Sequence, residues 1–302
     1  MLKTDLLEIN SKTKAEQLFV SDELYSTLES DNAFEELFSL DGKMYRMAPG
    51  RRTLCFTRAN KDYFLKSHSG VGWKEIFKNL IYLRLPVVGA KNEWDGIHHL
   101  TKLGIDTMTV SAYGTKGINP AAKQSFIVTE ALPTQLHLEE FCARWKEQPP
   151  KTKKEIRLKR WLLKKVIDTS RVMHESGMNH RDFYLCHFFL HAVYDNDDFL
   201  SEQSKLFIID LHRIQLRNKT PQRWLVKDIA ALYFSSMDIG LSKRDLFRFI
   251  KGYSDKPLRA ILNGRDMRFW NKVEKRAKKM YQNEQFKTFA AQDISHHDSV
   301  DG

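Results

Sequence analysis

The sequence predicts an α+β fold in which a mainly antiparallel sheet is followed by a mainly helical part. Between Lys43 and Thr129, apolar and polar residues alternate over short runs, which is the period of strands with one buried face. After Leu136 the apolar residues recur at helical spacing. The 302 residues, of which 42% are hydrophobic, are enough for one large domain or for two lobes around a cleft.

This change of period divides the chain into four stretches. Residues 1–42 form a lead segment with a loose helical pattern that packs on the small lobe. Residues 43–130 form the small, strand-rich lobe, and residues 131–282 form the larger helical lobe. Residues 283–302 are polar and lack periodicity, which predicts a disordered tail.

Five strands are predicted in the small lobe. The first two are separated by the turn 48–52, so the lobe begins with antiparallel strands. The predicted strands are Lys43–Met47, Thr53–Thr57, Lys61–Lys66, Met108–Gly114 and Ser125–Thr129.

Two helices interrupt these strands. Residues 73–90 carry an apolar face bordered by basic residues, and Pro86 stops the helix. This helix could lie on a membrane surface or pack on the small lobe, and the sequence leaves both open. Residues 92–103 form the second helix.

The larger lobe is predicted to be built mainly from helices. The acidic stretch 192–204 lies between two short strands and is interpreted as an exposed hairpin end. The predicted helices are 138–147, 155–176, 226–237, 242–262 and 266–282.

Two aspartates beside short apolar strands are the candidate catalytic groups. Asp182 follows a helix that ends at Gly177, and Asp210 follows the apolar run 206–209. Phosphoryl transfer needs two such carboxylates, because one orients and deprotonates the attacking hydroxyl while the other holds magnesium against the nucleotide phosphates. His187 stands five residues after Asp182, where a protein-kinase catalytic loop has its metal-binding asparagine.

A resemblance to a known family rests on three strings in this order: HRDFYLCHFFLH, IDLHR and KDIAALYFSSMDIGLSKRDLFRF. From about Arg51 to about Leu262, the chain resembles the lipopolysaccharide core heptose(I) kinases of Gram-negative bacteria. The resemblance implies a two-lobed protein-kinase-like fold, with a small antiparallel β lobe that binds nucleotide and a larger helical lobe that carries catalysis. It implies ATP and Mg²⁺ as cofactors and the 4-hydroxyl of the first heptose of the lipopolysaccharide inner core as acceptor.

The kinase-like pattern assigns roles around the triphosphate. Asp182 is the predicted catalytic base, and Asp210 is a predicted magnesium ligand. Lys66, at the end of its strand, reaches the phosphates, and Glu93 is predicted to form an ion pair with it. His187 is either a second metal ligand or a hydrogen-bond partner of Asp182.

Other predicted contacts to the nucleotide come from the turn and the hinge. Arg51 and Arg52 either contact phosphate by charge or stand at an exposed hairpin tip. Backbone groups at Glu130 and Leu132 are placed to hold adenine. In kinase-like folds an aspartate at the position of Asp228 braces the backbone of the catalytic loop.

The sequence departs from ordinary protein kinases in several places. The phosphate-covering turn has only Gly50 in place of a glycine-rich signature, and Asp210 is followed by Leu211 and His212, so no glycine follows the metal ligand. The connector 213–223 is short, and no activation segment follows it. The missing segment favours a small-molecule or glycolipid acceptor over a protein.

The formal net charge of +11 predicts an anionic partner. Basic residues are mixed with aromatic ones at 151–165 and 243–279, a combination suited to a membrane interface or an acidic protein. Inner-core lipopolysaccharide, the anionic surface of the inner membrane and, by the resemblance, acyl carrier protein are the expected partners. No recognised nucleic-acid-binding motif is present, so nucleic acid is not expected.

The cellular location is predicted from what the sequence lacks. The three cysteines show no disulfide or zinc spacing, which favours a reducing compartment. No signal-peptide pattern and no apolar run of ~18 residues is visible. These features predict a cytoplasmic protein, and the resemblance places it peripherally on the inner face of the inner membrane.

Rival functions remain open at this stage. A related phosphotransferase could act on Kdo or on a protein. A catalytically dead kinase-like binding module is compatible with the missing glycine-rich turn and with His187. A basic nucleic-acid-binding protein is the third alternative.

Overall fold

A computed structural model shows two compact units, and it confirms the predicted α+β class. The first, the sheet unit, comprises Met1–Pro133 together with Ile209–Ile214. The second, the helical unit, comprises Thr134–Ile208 and Gln215–Gly302. The structure describes residues 6–8, 16–48, 50–70, 72–73, 89–134, 136–194, 200–264 and 266–297, and the side chains of 17–284 within these ranges.

The sheet unit is built on one antiparallel sheet of seven strands, in the order β1-β2-β6-β7-β5-β4-β3. All five predicted strands are present. Their bounds are β3 Lys43–Ala48, β4 Arg51–Arg58, β5 Lys61–His68, β6 Val110–Lys116 and β7 Gln124–Glu130.

The lead segment supplies two strands that the sequence analysis did not predict. These are β1 Leu6–Glu8 and β2 Glu16–Ser21, and β2 pairs with β6. Leu18 and Val20 are buried on one face of β2 while Gln17 is exposed. The run is short, so the alternation was too weak to be separated from the helical pattern around it.

The described residues of the sheet unit contain three helices: α1 Asp22–Tyr25, α2 Ala33–Ser39 and α3 Lys91–Lys102. Phe34 and Leu37 of α2 are fully buried against the sheet, and the rings of Phe34 and Phe126 lie 5.2 Å apart. The helix predicted over 73–90 falls mainly outside the described residues.

The helical unit contains six helices within its described residues. The predicted boundaries hold closely for the long α5, whose start is fixed by a capping box between Thr152 and Glu155. The helices are α4 Leu138–Ala143, α5 Lys153–Glu175, α6 Gln222–Ser235, α7 Lys243–Ser254, α8 Leu258–Leu262 and α9 Met267–His297.

Two boundaries differ from the predictions. The helix predicted over 242–262 is two helices, because Pro257 lacks the N–H that a continuous helix needs. Helix α9 continues to His297, so most of the predicted disordered tail is described as helix. Residues 298–302 lie outside the described part of the chain.

Short strands frame the loops of the helical unit. Strands β8 Met178–Asn179 and β11 Gln215–Leu216 pair with each other, and so do β9 Phe188–His191 and β10 Lys205–Ile208. The acidic stretch 192–204 joins β9 to β10, as expected of a hairpin end.

The helical unit also encloses an apolar cavity of about 270 Å³. Its walls come from α4 to α7 and α9, and they include Cys142, Trp145, Leu162, Ile250 and Trp270. Within the described residues, no helix combines the length and the apolarity that crossing a membrane would require.

Candidate active site

Lys66 and Glu93 form the predicted ion pair, with 2.6 Å between Nζ and Oε1. Lys66 is on β5, and Glu93 is in the first turn of α3 with its side chain 2% exposed. Burial by itself lowers the pKa of Lys66, but the negative charges of Glu93 and Asp210 outweigh it and raise the pKa. Lys66 therefore keeps its positive charge at neutral pH.

Asp210 lies beside this pair, in the segment by which the chain returns to the sheet unit. Its backbone is left-handed, with φ 63° and ψ 50°, and a short 3₁₀ turn, Leu211–Arg213, follows it. The turn packs on α3 at Gly96, where an added Cβ would lie 3.2 Å from the Leu211 Cβ. This close approach brings Asp210 next to the helix that carries Glu93, where its charge acts on Lys66.

His212 holds one oxygen of Asp210. Its Nδ1 lies 2.5 Å from Asp210 Oδ1, and its carbonyl accepts a bond of 3.3 Å from Asn92 Nδ2. Where protein kinases have a glycine, this chain thus has a side chain that orients the carboxylate of Asp210, the predicted metal ligand.

His68 is a buried member of this site that the sequence analysis missed. It follows Lys66 by two residues on β5, so both side chains are on the same face. Burial, together with the positive charges of Arg51, His212 and Lys66, lowers the pKa of His68 to about 4. The alternation of side chains along β5 could have indicated that His68 lies on the same face as Lys66.

Arg51 and Arg52 are the first residues of β4, so the prediction that they lie in a turn was wrong. Gly50, with φ 70°, makes the turn before them. Arg52 donates from Nε to Ser67 Oγ at 3.0 Å and from Nη2 to the Phe38 carbonyl. These contacts occupy Arg52 in the fold, whereas Arg51 lies close enough to influence His68.

Glu130 ends β7, at the predicted hinge. Its backbone N–H donates to the Thr109 carbonyl at 2.9 Å, and its carboxylate pairs with Lys61 Nζ at 2.8 Å. Leu132 follows in irregular backbone and is half-buried. Adenine recognition by Glu130 and Leu132 stays a prediction.

In the helical unit, Asp182 lies in a loop that is fixed by Asp228. The Asp228 carboxylate is fully buried and accepts bonds from the backbone N–H of His180 at 2.6 Å and of Arg181 at 3.0 Å. The predicted brace is confirmed. It stabilises the left-handed backbone of Arg181, whose φ is 76°, and so presents Asp182 next to it.

His187 bonds the loop that carries Asp182. Its Nδ1 donates to the Asp182 backbone carbonyl at 2.6 Å, and its ring stacks on His180 with centroids 5.8 Å apart. Since Nδ1 is the donor, Nε2 of the neutral ring carries the lone pair. The alternative of a hydrogen bond to Asp182 is thus confirmed for the backbone, and metal ligation by His187 stays a prediction.

The donor atoms suit a magnesium ion that keeps most of its water. Across the described residues, no three His, Cys, Asp or Glu side chains gather as a metal site. Magnesium is commonly held by one or two carboxylates plus substrate phosphates, so a single oriented carboxylate such as Asp210 fits that chemistry.

Glu139 is a residue near His187 that the sequence analysis did not identify. It is in the first turn of α4, where it accepts a bond from Cys186 and lies near His137 and His187. Burial raises the pKa of Glu139 against the opposing effect of these neighbours.

Comparisons with known proteins agree with this geometry. The lipopolysaccharide kinase (Kdo/WaaP) family matches residues 35–253. The chain is 48% identical over 241 residues to a lipopolysaccharide core heptose(I) kinase WaaP of Escherichia coli, covering 80% of this chain and 88% of that protein. It is 47% identical over 255 residues to the Pseudomonas aeruginosa protein of the same name, covering 83% and 91%.

A solved structure of WaaP in complex with acyl carrier protein is similar to this fold. The TM-score is 0.72 at 40% identity, over 87% of this chain and 99% of that one. The kinase-like fold predicted from the catalytic-loop strings is thereby confirmed. Because the family match spans most of the chain and the paired Lys66, Glu93 and Asp210 lie where a kinase needs them, the chain belongs to the lipopolysaccharide kinase (Kdo/WaaP) family.

Proposed function

We propose that this chain transfers the γ-phosphoryl group of ATP to the 4-hydroxyl of the first heptose of the lipopolysaccharide inner core. The observation that carries the proposal is the Lys66–Glu93 pair with Asp210 beside it, on a chain whose relatives are heptose(I) kinases. Such an arrangement places one oriented cation and one carboxylate suited to magnesium where a triphosphate would be held.

The sheet unit holds the nucleotide. Lys66, kept charged by Glu93, neutralises phosphate oxygens, and Arg51 adds a second positive charge. Asp210, oriented by His212, holds magnesium, which when bound supplies charge neutralisation on the phosphates. Backbone groups near Glu130 and Leu132 bind adenine.

The helical unit supplies the base. Asp182 orients the acceptor hydroxyl and takes its proton, while Asp228 and His187 fix the backbone on either side of it. Because this loop is braced by buried hydrogen bonds, the carboxylate is positioned before the acceptor arrives.

The test is turnover of the purified chain with ATP, Mg²⁺ and core oligosaccharide that lacks phosphate on its heptose. The expected product is a monophosphorylated oligosaccharide, identified by mass and located by phosphorus NMR. Asp182→Asn is expected to lower kcat by about 10²–10⁴-fold. Asp238→Asn, an exposed aspartate of the same unit, serves as the control.

Other outcomes of this assay would change the acceptor that we assign or refute the kinase activity. Phosphate on Kdo or on a protein would identify a different acceptor within the same chemistry. Magnesium-dependent ATP binding without turnover on any acceptor would identify a binding module and refute the kinase proposal.

We also infer that acyl carrier protein and an anionic membrane surface are partners on the cytoplasmic face of the inner membrane. A similar chain was solved with acyl carrier protein. Here α7 and α9 carry exposed cations for an acidic protein, among them Lys243, Arg244, Lys251, Lys272 and Lys275. The apolar cavity enclosed by the same helices is chemically suited to an acyl chain.

Co-purification with acylated and unacylated acyl carrier protein tests this partnership. Tighter binding of the acylated form is expected, with loss of binding in Arg244→Glu/Lys251→Glu. Equal binding of both forms would show that the cavity does not bind the acyl chain.

A further inference from the structure

Four cations gather around one indole in the helical unit, and a fifth lies near one of them. The guanidinium carbons of Arg181, Arg217 and Arg223 lie 5.6, 5.8 and 5.5 Å from the centroid of the Trp224 ring. Lys227 Nζ lies 4.2 Å from the same centroid, and Arg276 is close enough to influence Lys227. We call these residues the Trp224 cluster: Arg181, Arg217, Arg223, Trp224, Lys227 and Arg276.

The positive charges of the cluster act on one another. Burial lowers the pKa of Lys227, and the positive charges of Arg276, Arg181 and Arg223 lower it further against the attraction of Asp228. Burial also lowers the pKa of Arg217, with Arg223 adding to the effect. Like charges this close are unfavourable unless an anion is bound between them.

Asp228 is the carboxylate that acts on Lys227, and its oxygens already accept from the backbone N–H groups of His180 and Arg181 and contact His174 Nε2. Arg217 donates to the Asn179 side-chain oxygen at 2.6 Å, a neutral partner. The charges that act on Lys227 are therefore three cations against one carboxylate whose oxygens are already engaged.

The cluster is built from four separate segments. Arg181 belongs to the catalytic loop, Arg217 follows β11, Arg223 and Lys227 are in α6, and Arg276 is in α9. Contacts with the indole hold these long side chains, so less side-chain entropy is lost when they bind an anion. The planar guanidinium group can donate two parallel hydrogen bonds to a pair of oxygens of a carboxylate or a phosphate.

The position of the cluster points to the acceptor. Arg181 directly precedes Asp182, and consecutive Cα atoms are about 3.8 Å apart. An acceptor that reaches Asp182 with one hydroxyl can reach the cluster with a group one or two sugars away.

We propose that the Trp224 cluster binds a carboxylate or phosphate group of the acceptor glycolipid, close to the sugar that is phosphorylated. This inference rests on the proposed function, and it adds a recognition site for acidic acceptors. Such a site fixes the acceptor without taking part in proton transfer.

The test compares three acceptors: the acidic glycolipid without phosphate on its heptose, the same compound with carboxyl groups reduced to alcohols, and the same compound with its remaining phosphates removed. Arg223→Gln/Lys227→Gln is expected to raise the KM of the acidic acceptor about tenfold, with kcat and the KM of ATP within about twofold. With the acceptor that lacks the recognised group, wild type and variant should have the same KM. That comparison identifies the group as carboxylate or phosphate.

Lys102→Gln/Lys205→Gln is the matched control, because it removes the same charge from exposed positions on α3 and β10. An equal rise in KM in this control would assign the effect to net charge and overturn the proposal. So would an unchanged KM in the cluster variant, or an equal rise for all three acceptors. Loss of binding to anionic vesicles with an unchanged acceptor KM would assign the cluster to the membrane and would also overturn it.

The thermal melting temperature of each variant reports folding. Should the double variant fail to fold, Arg276→Gln changes an exposed side chain on a separate helix and is expected to raise the same KM. Absence of wild-type turnover on all three acceptors would refute the proposed function alone. Calorimetric binding of the acidic glycolipid to wild type and to the cluster variant then still tests the cluster, which is refuted if both bind equally.

Discussion

At the scale of single residues, the Lys66–Glu93 pair sets the charge of the proposed nucleotide site. Glu93→Gln removes the carboxylate that keeps Lys66 oriented and charged. We expect kcat/KM for ATP to fall on the order of 10²-fold, because preorganised charge is lost at the phosphates. Steady-state kinetics measure this.

The exposed pair of Lys91 with Asp95 on the same helix provides the control for this variant. Asp95→Asn should leave kcat/KM unchanged, since exposed pairs contribute little. A Glu93→Gln enzyme as active as wild type would refute the role assigned to the pair.

His68 predicts a pH dependence of stability. Its folded pKa of about 4 lies below the ordinary 6.5, so between these values the unfolded chain takes up a proton that the folded chain does not. Stability is therefore lost as the pH falls from 6.5 to 4. His68→Asn should lessen this loss by about 3 kcal/mol.

Urea unfolding at pH 7 and at pH 4.5 measures the difference for wild type and His68→Asn. The two proteins share all other titrating groups, so their difference isolates His68. Parallel pH profiles would contradict the buried, neutral imidazole.

At the scale of elements, Gly177 lets α5 end where the catalytic loop begins. Its φ is 87°, and an added Cβ would lie 1.7 Å from the Arg217 carbonyl oxygen. Gly177→Ala should therefore cost about 3 kcal/mol or more, because a left-handed alanine and a backbone clash add together. The free energy of unfolding in urea is the measurement.

Gly104 offers a matched comparison, with φ 72° and nothing within 4 Å of an added Cβ. Gly104→Ala carries only the backbone cost of about 1 kcal/mol. Equal losses at Gly177 and Gly104 would show that the contact with Arg217 is not limiting.

At the scale of the whole molecule, the net charge of +11 predicts binding to acidic membranes. We expect co-sedimentation with vesicles containing anionic lipid, falling steeply as salt rises from about 0.05 to 0.5 M because the Debye length shortens. Neutral vesicles are the control. Binding that ignores both salt and lipid charge would contradict a charge-driven surface.

The kinase-like fold and much of the site could be predicted because their signals are local. Alternation located β3 to β7, and chain order located Lys66, Glu93, Asp210 and Asp228. The short strand β2 was not predicted because too few residues show its alternation. Arg51 and Arg52 were predicted to lie in a turn because the end of a strand has no sharp local signal.

The sequence by itself determined which chemical groups this protein has and their order along the chain. These groups are the strand lysine, the HRD loop, and the aspartate after a buried strand. Only the tertiary structure decided that His68 and His212 join Lys66, and that cations from residues 181 to 227 meet on Trp224. The physical reason is that periodicity reports neighbours along the chain, whereas these contacts join residues distant in sequence and exist only once the elements have packed.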